Sequence, residues 1–213
     1  MRTTLFKARL YGIIDLGYVE PDDLAFMTEK VIAGGIDVIQ LRAKNCDPKD
    51  IEKWGEQLLP ICRQAKVPFF INDFPDIAAR IGADGVHVGQ DDLSMDEVRS
   101  IVGDSMLVGR STHSVEQAAK AAAEPGTDCI GFGPLFATPT KPDYQPIGVR
   151  EIQQVHEAHT DLPIFCIGGI KQNNLSEVVA AGARRAVIVS GILQAEDVAE
   201  YVSQSKAILP EIN

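Results

Sequence analysis

The chain has 213 residues, 45% of them hydrophobic, enough for a sizeable core, and its four scattered cysteines (Cys46, Cys62, Cys129, Cys166) make no CxxC pair, as expected of a reduced cytoplasmic protein. With 30 acidic against 20 basic residues the net charge is −10, and no basic run could track a phosphate backbone, which excludes nucleic acid as the main partner. The opening MRTTLFKARLYGIID has too short an apolar run for a secretory leader, and nothing in the sequence reads as a membrane span.

The first apolar run, ARLYGII (8–14), reads as a strand and leads into an acidic loop, LGYVEPDD. The second, DVIQLR (37–42), breaks at its end into Gln40, Arg42 and Lys44, two residues apart and so on the same side as Val38. Asp47-Pro48 then supplies an N-cap with proline at the first helical position. PFFIN (68–72) ends in Asn72-Asp73, and DGVHVG (84–89) runs out into Gln90-Asp91-Asp92. Ser94 to Glu97 reads as a capping box for the next helix. MLVGRS (106–111) ends in Ser111-Thr112-His113, with Ser114 to Gln117 as a further capping box before the alanine-rich QAAKAAAE. CIGFG (129–133) opens into GPLFATPTKPDYQP; PIFCIG (163–168) ends in Gly168-Gly169, ahead of a capping-box analogue at Asn174 to Glu177. The last strand, RAVIVS (185–190), ends in Ser190-Gly191.

Eight strands alternate with eight helical segments, with no linker or change of composition between them. Continuous apolar strands in βα alternation predict a parallel sheet with right-handed crossovers, and eight units predict one closed (β/α)8 barrel over 1–213. An open doubly wound sheet is the competing architecture. The repetition is architectural, with no convincing internal sequence repeat.

Polar groups at seven strand ends form a ring, and barrel sites are built at that end. Asp73 and Asp92 each precede a helix and as lone residues would read as N-caps. Beside Arg42, Lys44 and Lys141, the pair also suits hard oxygen ligation of Mg2+, which would lie between an acidic protein and a polyphosphate. In this reading Asp92 shares the register of Val86, Val88 and Gln90. The glycine turns Gly168-Gly169 and Ser190-Gly191, before helices, suit a monophosphate bound by backbone N–H groups. The loop 133–146, with four prolines, reads as a folded flap bringing Thr138, Thr140 and Lys141 over a ligand. His87, of opposite parity to Val86 and Val88, reads as a packed structural histidine. His113 is a candidate acid or base.

QLRAK (40–44), NDFPDIA (72–78), ADGVHVGQDD (83–92), GRSTHS (109–114), GPLFATPTKPD (133–143), IGGI (167–170) and VSGI (189–192) together resemble the successive motifs of the thiamine-phosphate synthase family, in order over nearly the whole chain. The resemblance implies a (β/α)8 barrel transferase that joins a pyrimidine diphosphate to a thiazole phosphate with Mg2+ as cofactor. It implies that Gln40, Leu41, Arg42, Ala43, Lys44, Asn72, Ser111 and Lys141 bind the pyrimidine diphosphate, with Arg42, Lys44, Ser111 and Lys141 acting in catalysis. Asp73 and Asp92 would hold the metal, and Thr138, Pro139, Thr140, Gly169, Val189 and Ser190 the thiazole phosphate. The family's opening resembles YxITD, from which Tyr11-Gly-Ile-Ile-Asp15 departs, leaving the first loop without an assigned role. A thiazole tautomerase using His113 is the related alternative, and a non-catalytic phosphate-binding barrel the unrelated one. A soluble monomer or homodimer is expected. Arg42→Ala or Lys141→Ala is expected to lower turnover while the barrel stays folded.

Overall fold

A computed structural model of the chain describes residues 2–138 and 145–212. Eight parallel strands hydrogen-bond in sequence order into a closed barrel. They are β1 (Leu10–Asp15), β2 (Val38–Arg42), β3 (Phe69–Asn72), β4 (Gly85–Val88), β5 (Leu107–Thr112), β6 (Cys129–Phe132), β7 (Ile164–Cys166) and β8 (Ala186–Ile188). The pairing of Tyr11 with Val187 between β1 and β8 closes the ring and rules out the open sheet. The helices are α1 (Arg2–Lys7), α2 (Leu24–Ala33), α3 (Pro48–Ala65), α4 (Pro75–Ile81), α5 (Met95–Val102), α6 (Val115–Ala123), α7 (Ile152–Ala158), α8 (Gln172–Ala180), α9 (Ser190–Leu193) and α10 (Val198–Ile208). Strict alternation is therefore broken twice: α1 precedes the first strand, and β8 is followed by two helices.

Local signals in the sequence set several helix starts. Asp47 accepts from the Lys49 amide at 2.9 Å, and Ser94 and Glu97 form a reciprocal capping box. Such caps contribute roughly 1 kcal/mol each. Asn174 is not a cap. Helix α8 begins at Gln172, and Asn174, in its first turn, reaches back to accept from the Lys171 amide at 2.8 Å.

Alternate residues of each strand face two different cores. Inside the barrel, Tyr11, Val38, Phe70, Leu107, Cys129, Phe165 and Val187 pack together, and Leu5 of α1 seals the amino-terminal end. The Tyr11 ring stands edge-on to Phe165 with centroids 5.4 Å apart. Outside, Ile39, Leu41, Val86, Val88 and Ile130 pack against the helices with Leu58, Val98 and Val202. Burial on both faces is why these strands read as unbroken apolar runs.

The amino-terminal end carries a short repeat that was not apparent in the sequence. A glycine, one residue and an aspartate precede β2, β4 and β6 as Gly35-Ile36-Asp37, Gly82-Ala83-Asp84 and Gly126-Thr127-Asp128. Each aspartate accepts an amide at the start of the preceding strand: Leu10 on Asp37, Phe69 on Asp84 and Val108 on Asp128, at 3.0, 3.0 and 2.9 Å. Before β8 the same place is held by Arg185, in Gly182-Ala-Arg-Arg.

His156 of α7 packs in the wall behind β7, its Nε2 3.8 Å from Cys166 Sγ. Burial, and after it the charges of Arg185 and Arg184, lower its pKa from 6.5 to about 4. The unfolded chain thus takes up a proton near pH 6.5 that the folded chain refuses until about pH 4. Stability present above pH 6.5 is lost as pH falls through that window. Between pH 7 and pH 5 the loss attributable to His156 is about 2 kcal/mol by linkage. Urea unfolding should show the same loss missing in His156→Gln; equal losses in both proteins refute it.

Candidate active site

The carboxyl ends of the strands open into a cavity of about 960 Å³, its mouth included. Strand β2 places Gln40 and Arg42 on the inner face with Val38, as the two-residue spacing predicts. Gln40 is 2% exposed, and its Nε2 donates to the Tyr11 hydroxyl at 2.9 Å. Arg42 Nη1 donates to Asp15 Oδ2 at 2.6 Å, because parallel register sets Asp15 of β1 directly beside Arg42 of β2. Asp15 is buried and also accepts from the Gly17 amide at 2.9 Å. The guanidinium is thereby held against one buried carboxylate while it lines the cavity. Leu41 and Ala43, by contrast, bury their side chains in the outer core.

Lys44 lies just past β2 and pairs with Asp73. Asp73 has a left-handed backbone, φ +65°, a conformation that costs an L-residue roughly 1–2 kcal/mol and that tends to cluster at functional sites. Its amide donates to the His87 carbonyl at 2.9 Å, so the turn is built into the wall between β3 and β4. Burial raises the Asp73 carboxyl above its ordinary range; the nearby Asp92 adds to this, while Lys44 opposes it. Asp92 does not arrive along the face of Val86 and Val88, as its parity suggested. Those valines point outward and β4 stops at Val88. The following loop carries Asp92 back, fixed by the Gly89 amide donating to its Oδ2 at 2.6 Å.

Neither aspartate caps a helix through its side chain: the caps of α4 and α5 are Phe74 and Ser94. Asp73 pairs with Lys44 and lies near Asp92, so two carboxylates stand beside one cation, a donor set with spare negative charge and hard oxygens. Among the described residues no group of three or more His, Cys, Asp or Glu converges. That partial shell fits a Mg2+ whose remaining ligands are water and substrate phosphate.

His87 requires a correction. It faces into the barrel rather than into packed core, lines the cavity and places Nε2 2.9 Å from Ser111 Oγ. Its ring has room because β5 and β6 carry glycines there; a Cβ on Gly109 would run into His87 Nδ1. Gln90 Nε2 donates to the Ser111 carbonyl at 2.5 Å, which ties the loop after β4 to β5. His113 also lines the cavity, its Nδ1 donating to the Gly133 carbonyl at 2.5 Å. Asn72 joins the same wall.

The opposite wall comes from β6, β7 and β8 and includes Thr138, Gly169, Val189 and Ser190. Gly168 and Gly169 have φ of +99° and +65°. A Cβ on Gly169 would come within 2.7 Å of Phe136 Cβ and 2.8 Å of the Ala137 carbonyl, so glycine lets the loop after β6 cross β7. That loop is pinned where Leu135 donates to the Ile167 carbonyl at 2.9 Å and Phe136 to that of Gly168 at 3.0 Å. Gly191 has a packing reason as well: a Cβ there would meet the Tyr201 hydroxyl at 2.5 Å. Pro139, Thr140 and Lys141 lie outside the described residues, as does the whole 139–144 part of the expected flap.

Sequence reasoning missed four contributors: Asp15, Tyr11, His87 and Gln90. Asp15 had a usable signal, since it ends a strand directly before the one carrying Arg42. The fold and this mouth, cationic on one side and glycine-turned on the other, are those of a barrel enzyme. Residues 10–192 match the family described as thiamine monophosphate synthase. The thiamine-phosphate synthase of Thermus thermophilus is 46% identical over 80% of this chain and 81% of its own length. That of Acidothermus cellulolyticus is 40% identical over 98% of both. A solved thiamine phosphate pyrophosphorylase from Pyrococcus furiosus superposes with a TM-score of 0.85 at 28% identity, covering 96% of each chain. The chain belongs to the thiamine monophosphate synthase family.

Proposed function

We infer that this chain is a thiamine-phosphate synthase, a transferase of thiamine biosynthesis, and that its 213-residue barrel is one catalytic domain acting on soluble precursors in the cytoplasm. The observation that carries the reading is the two-sided cavity: one wall offers Arg42 and Asn72, with Lys44 and Asp73 on the loops just past those strands and Asp92 near Asp73, and the other wall offers Gly169 and Ser190. One wall suits the diphosphate of 4-amino-2-methyl-5-hydroxymethylpyrimidine and the other the monophosphate of 4-methyl-5-hydroxyethylthiazole.

The reaction breaks the pyrimidine CH2–O bond, and the electron pair leaves with pyrophosphate. The aminopyrimidine ring stabilises the resulting cation, and the thiazole nitrogen forms the new C–N bond with its own lone pair. No proton leaves that nitrogen, so the site needs no general base for the step. Arg42, held by Asp15, sits ready for charge growing on the leaving oxygens, and Ser111 adds a donor there; the family resemblance assigns Lys141 the same role. Gln40, fixed by Tyr11, and Asn72 orient the pyrimidine. Mg2+, when bound by Asp73 and Asp92, would neutralise the diphosphate and lower the barrier to its departure. Thr138 and Ser190, with the Gly169 turn, hold the thiazole phosphate, a role the family resemblance extends to Thr140.

The test is incubation with both precursors, with and without Mg2+, scoring thiamine phosphate and pyrophosphate. Equimolar products that require Mg2+ are expected, and Lys141→Ala should form them roughly 100-fold more slowly, as for the loss of one preorganised donor. Metal-independent isomerisation of the thiazole without coupling would instead assign the tautomerase reading to His113.

A further inference from the structure

At the other end of the barrel, beneath α1, lies a second cavity of about 690 Å³, mouth included. Its described lining includes Lys7, His156, His159, Arg184 and Arg185 and no acidic residue. In a chain of net charge −10, three cations, Lys7, Arg184 and Arg185, on one cavity with no acidic residue in its described lining are unexpected. Ion pairs satisfy most cations at this end: Arg2 and Arg99 pair with Asp128, and Lys206 with Asp37. Among the described residues none pairs with Lys7, Arg184 or Arg185.

Arg185 is the informative member. It is 7% exposed, Nη2 donates to the Phe6 carbonyl at 2.8 Å, and Nε has no hydrogen-bond partner among the described residues. A buried donor left unmade costs of the order of 1–3 kcal/mol. Arg185 also stands where β2, β4 and β6 each have an aspartate, so this corner has a cation in the place of an anion. Burial and then the neighbouring Arg184 lower its pKa to about 10, with Cys129 acting weakly in the other direction.

We propose that this cavity binds a small phosphate-class oxyanion, gripped by Arg185 and Arg184 with Lys7 at the mouth and the two histidines on its wall. Planar guanidinium forks match phosphate oxygens in pairs. The site is separate from the coupling mouth and does not depend on the activity inferred above.

The chain's four histidines divide evenly, His87 and His113 at the coupling mouth and His156 and His159 here. Titration of the full chain with sodium phosphate, read on the histidine ring signals by NMR against sodium chloride at matched ionic strength, reports both sites at once. Saturable shifts of His156 and His159 at millimolar phosphate are expected. Arg184→Glu, at an exposed position, should weaken them at least tenfold while coupling turnover is unchanged; Arg185→Gln should weaken them further if it folds. A second titration with glycerol phosphate assigns the source: tighter binding than phosphate means an organic phosphomonoester, weaker or equal binding the free ion. Shifts that chloride reproduces, shifts confined to His87 and His113, or undiminished binding in Arg184→Glu would overturn the site.

Discussion

Arg42→Ala is expected to lower kcat by a factor of about 10²–10³ and, in the same protein, to destabilise the barrel. The first effect follows from the role proposed for Arg42, a preorganised donor at the leaving oxygens, whose removal typically costs about 3–4 kcal/mol of transition-state stabilisation. The second follows from Asp15. Its carboxylate is 2% exposed and bonded to Arg42 at 2.6 Å, and removing one partner of a buried pair costs roughly 3–5 kcal/mol. The sequence led to the expectation that the barrel stays folded; the Asp15 contact adds a loss of stability that the sequence did not indicate. Natural domains have about 5–15 kcal/mol in hand, so the variant still folds at assay temperature but with a lower urea midpoint. The two effects separate in Arg42→Ala/Asp15→Asn. Neutralising Asp15 should restore most of the stability and none of the turnover. Recovery of kcat in the double variant would show that Arg42 serves the fold alone.

How far the sequence could be read depended on the range of the contact involved. Strand positions, the closed barrel and the inward face of β2 were legible because side-chain alternation is a local property, and so was the capping box at Ser94. Contacts that need register between strands were not. Arg42 was a candidate from its position, but its partner Asp15 is 27 residues away and becomes its neighbour only when β1 and β2 pair. His87 was misread for a related reason. Parity correctly opposed it to Val86 and Val88, but both faces of a barrel strand are buried. Only the glycines at 109 and 131 tell which face holds an imidazole against Ser111. Asp92 was placed beside Asp73 by the wrong route, a continued strand instead of a returning loop. The Gly-x-Asp repeat escaped notice because three residues recurring at intervals of about 45 are faint until each aspartate is seen on its amide.

Mg2+ is expected to raise the melting temperature of this protein, and Asp73→Asn should abolish the increase. The Asp73 carboxylate is partly buried beside Asp92, with Lys44, an exposed side chain, as its cation. An exposed pair contributes at most about 1 kcal/mol, too little to offset burial next to a like charge. A divalent ion that binds only the folded state adds RT ln(1 + [Mg]/Kd), about 2.7 kcal/mol at a hundredfold excess over Kd. For a chain of this length that corresponds to roughly 5–10 °C. Asparagine keeps the shape and tolerates the left-handed backbone at φ +65°, so the substitution removes charge without new strain. Without the ion, Asp73→Asn should melt within about 2 °C of the parent, because losing Lys44 and losing the repulsion from Asp92 oppose each other. With the ion it should lag by the full increment and couple the two substrates at least 100-fold more slowly, the scale of one lost electrostatic contact to the leaving group. Asp92→Asn should behave alike. Differential scanning calorimetry at fixed ionic strength, with Ca2+ and Na+ as controls, measures the shift. An equal Mg2+ effect in parent and Asp73→Asn would place the ion elsewhere and leave the paired carboxylates without a ligand to explain them.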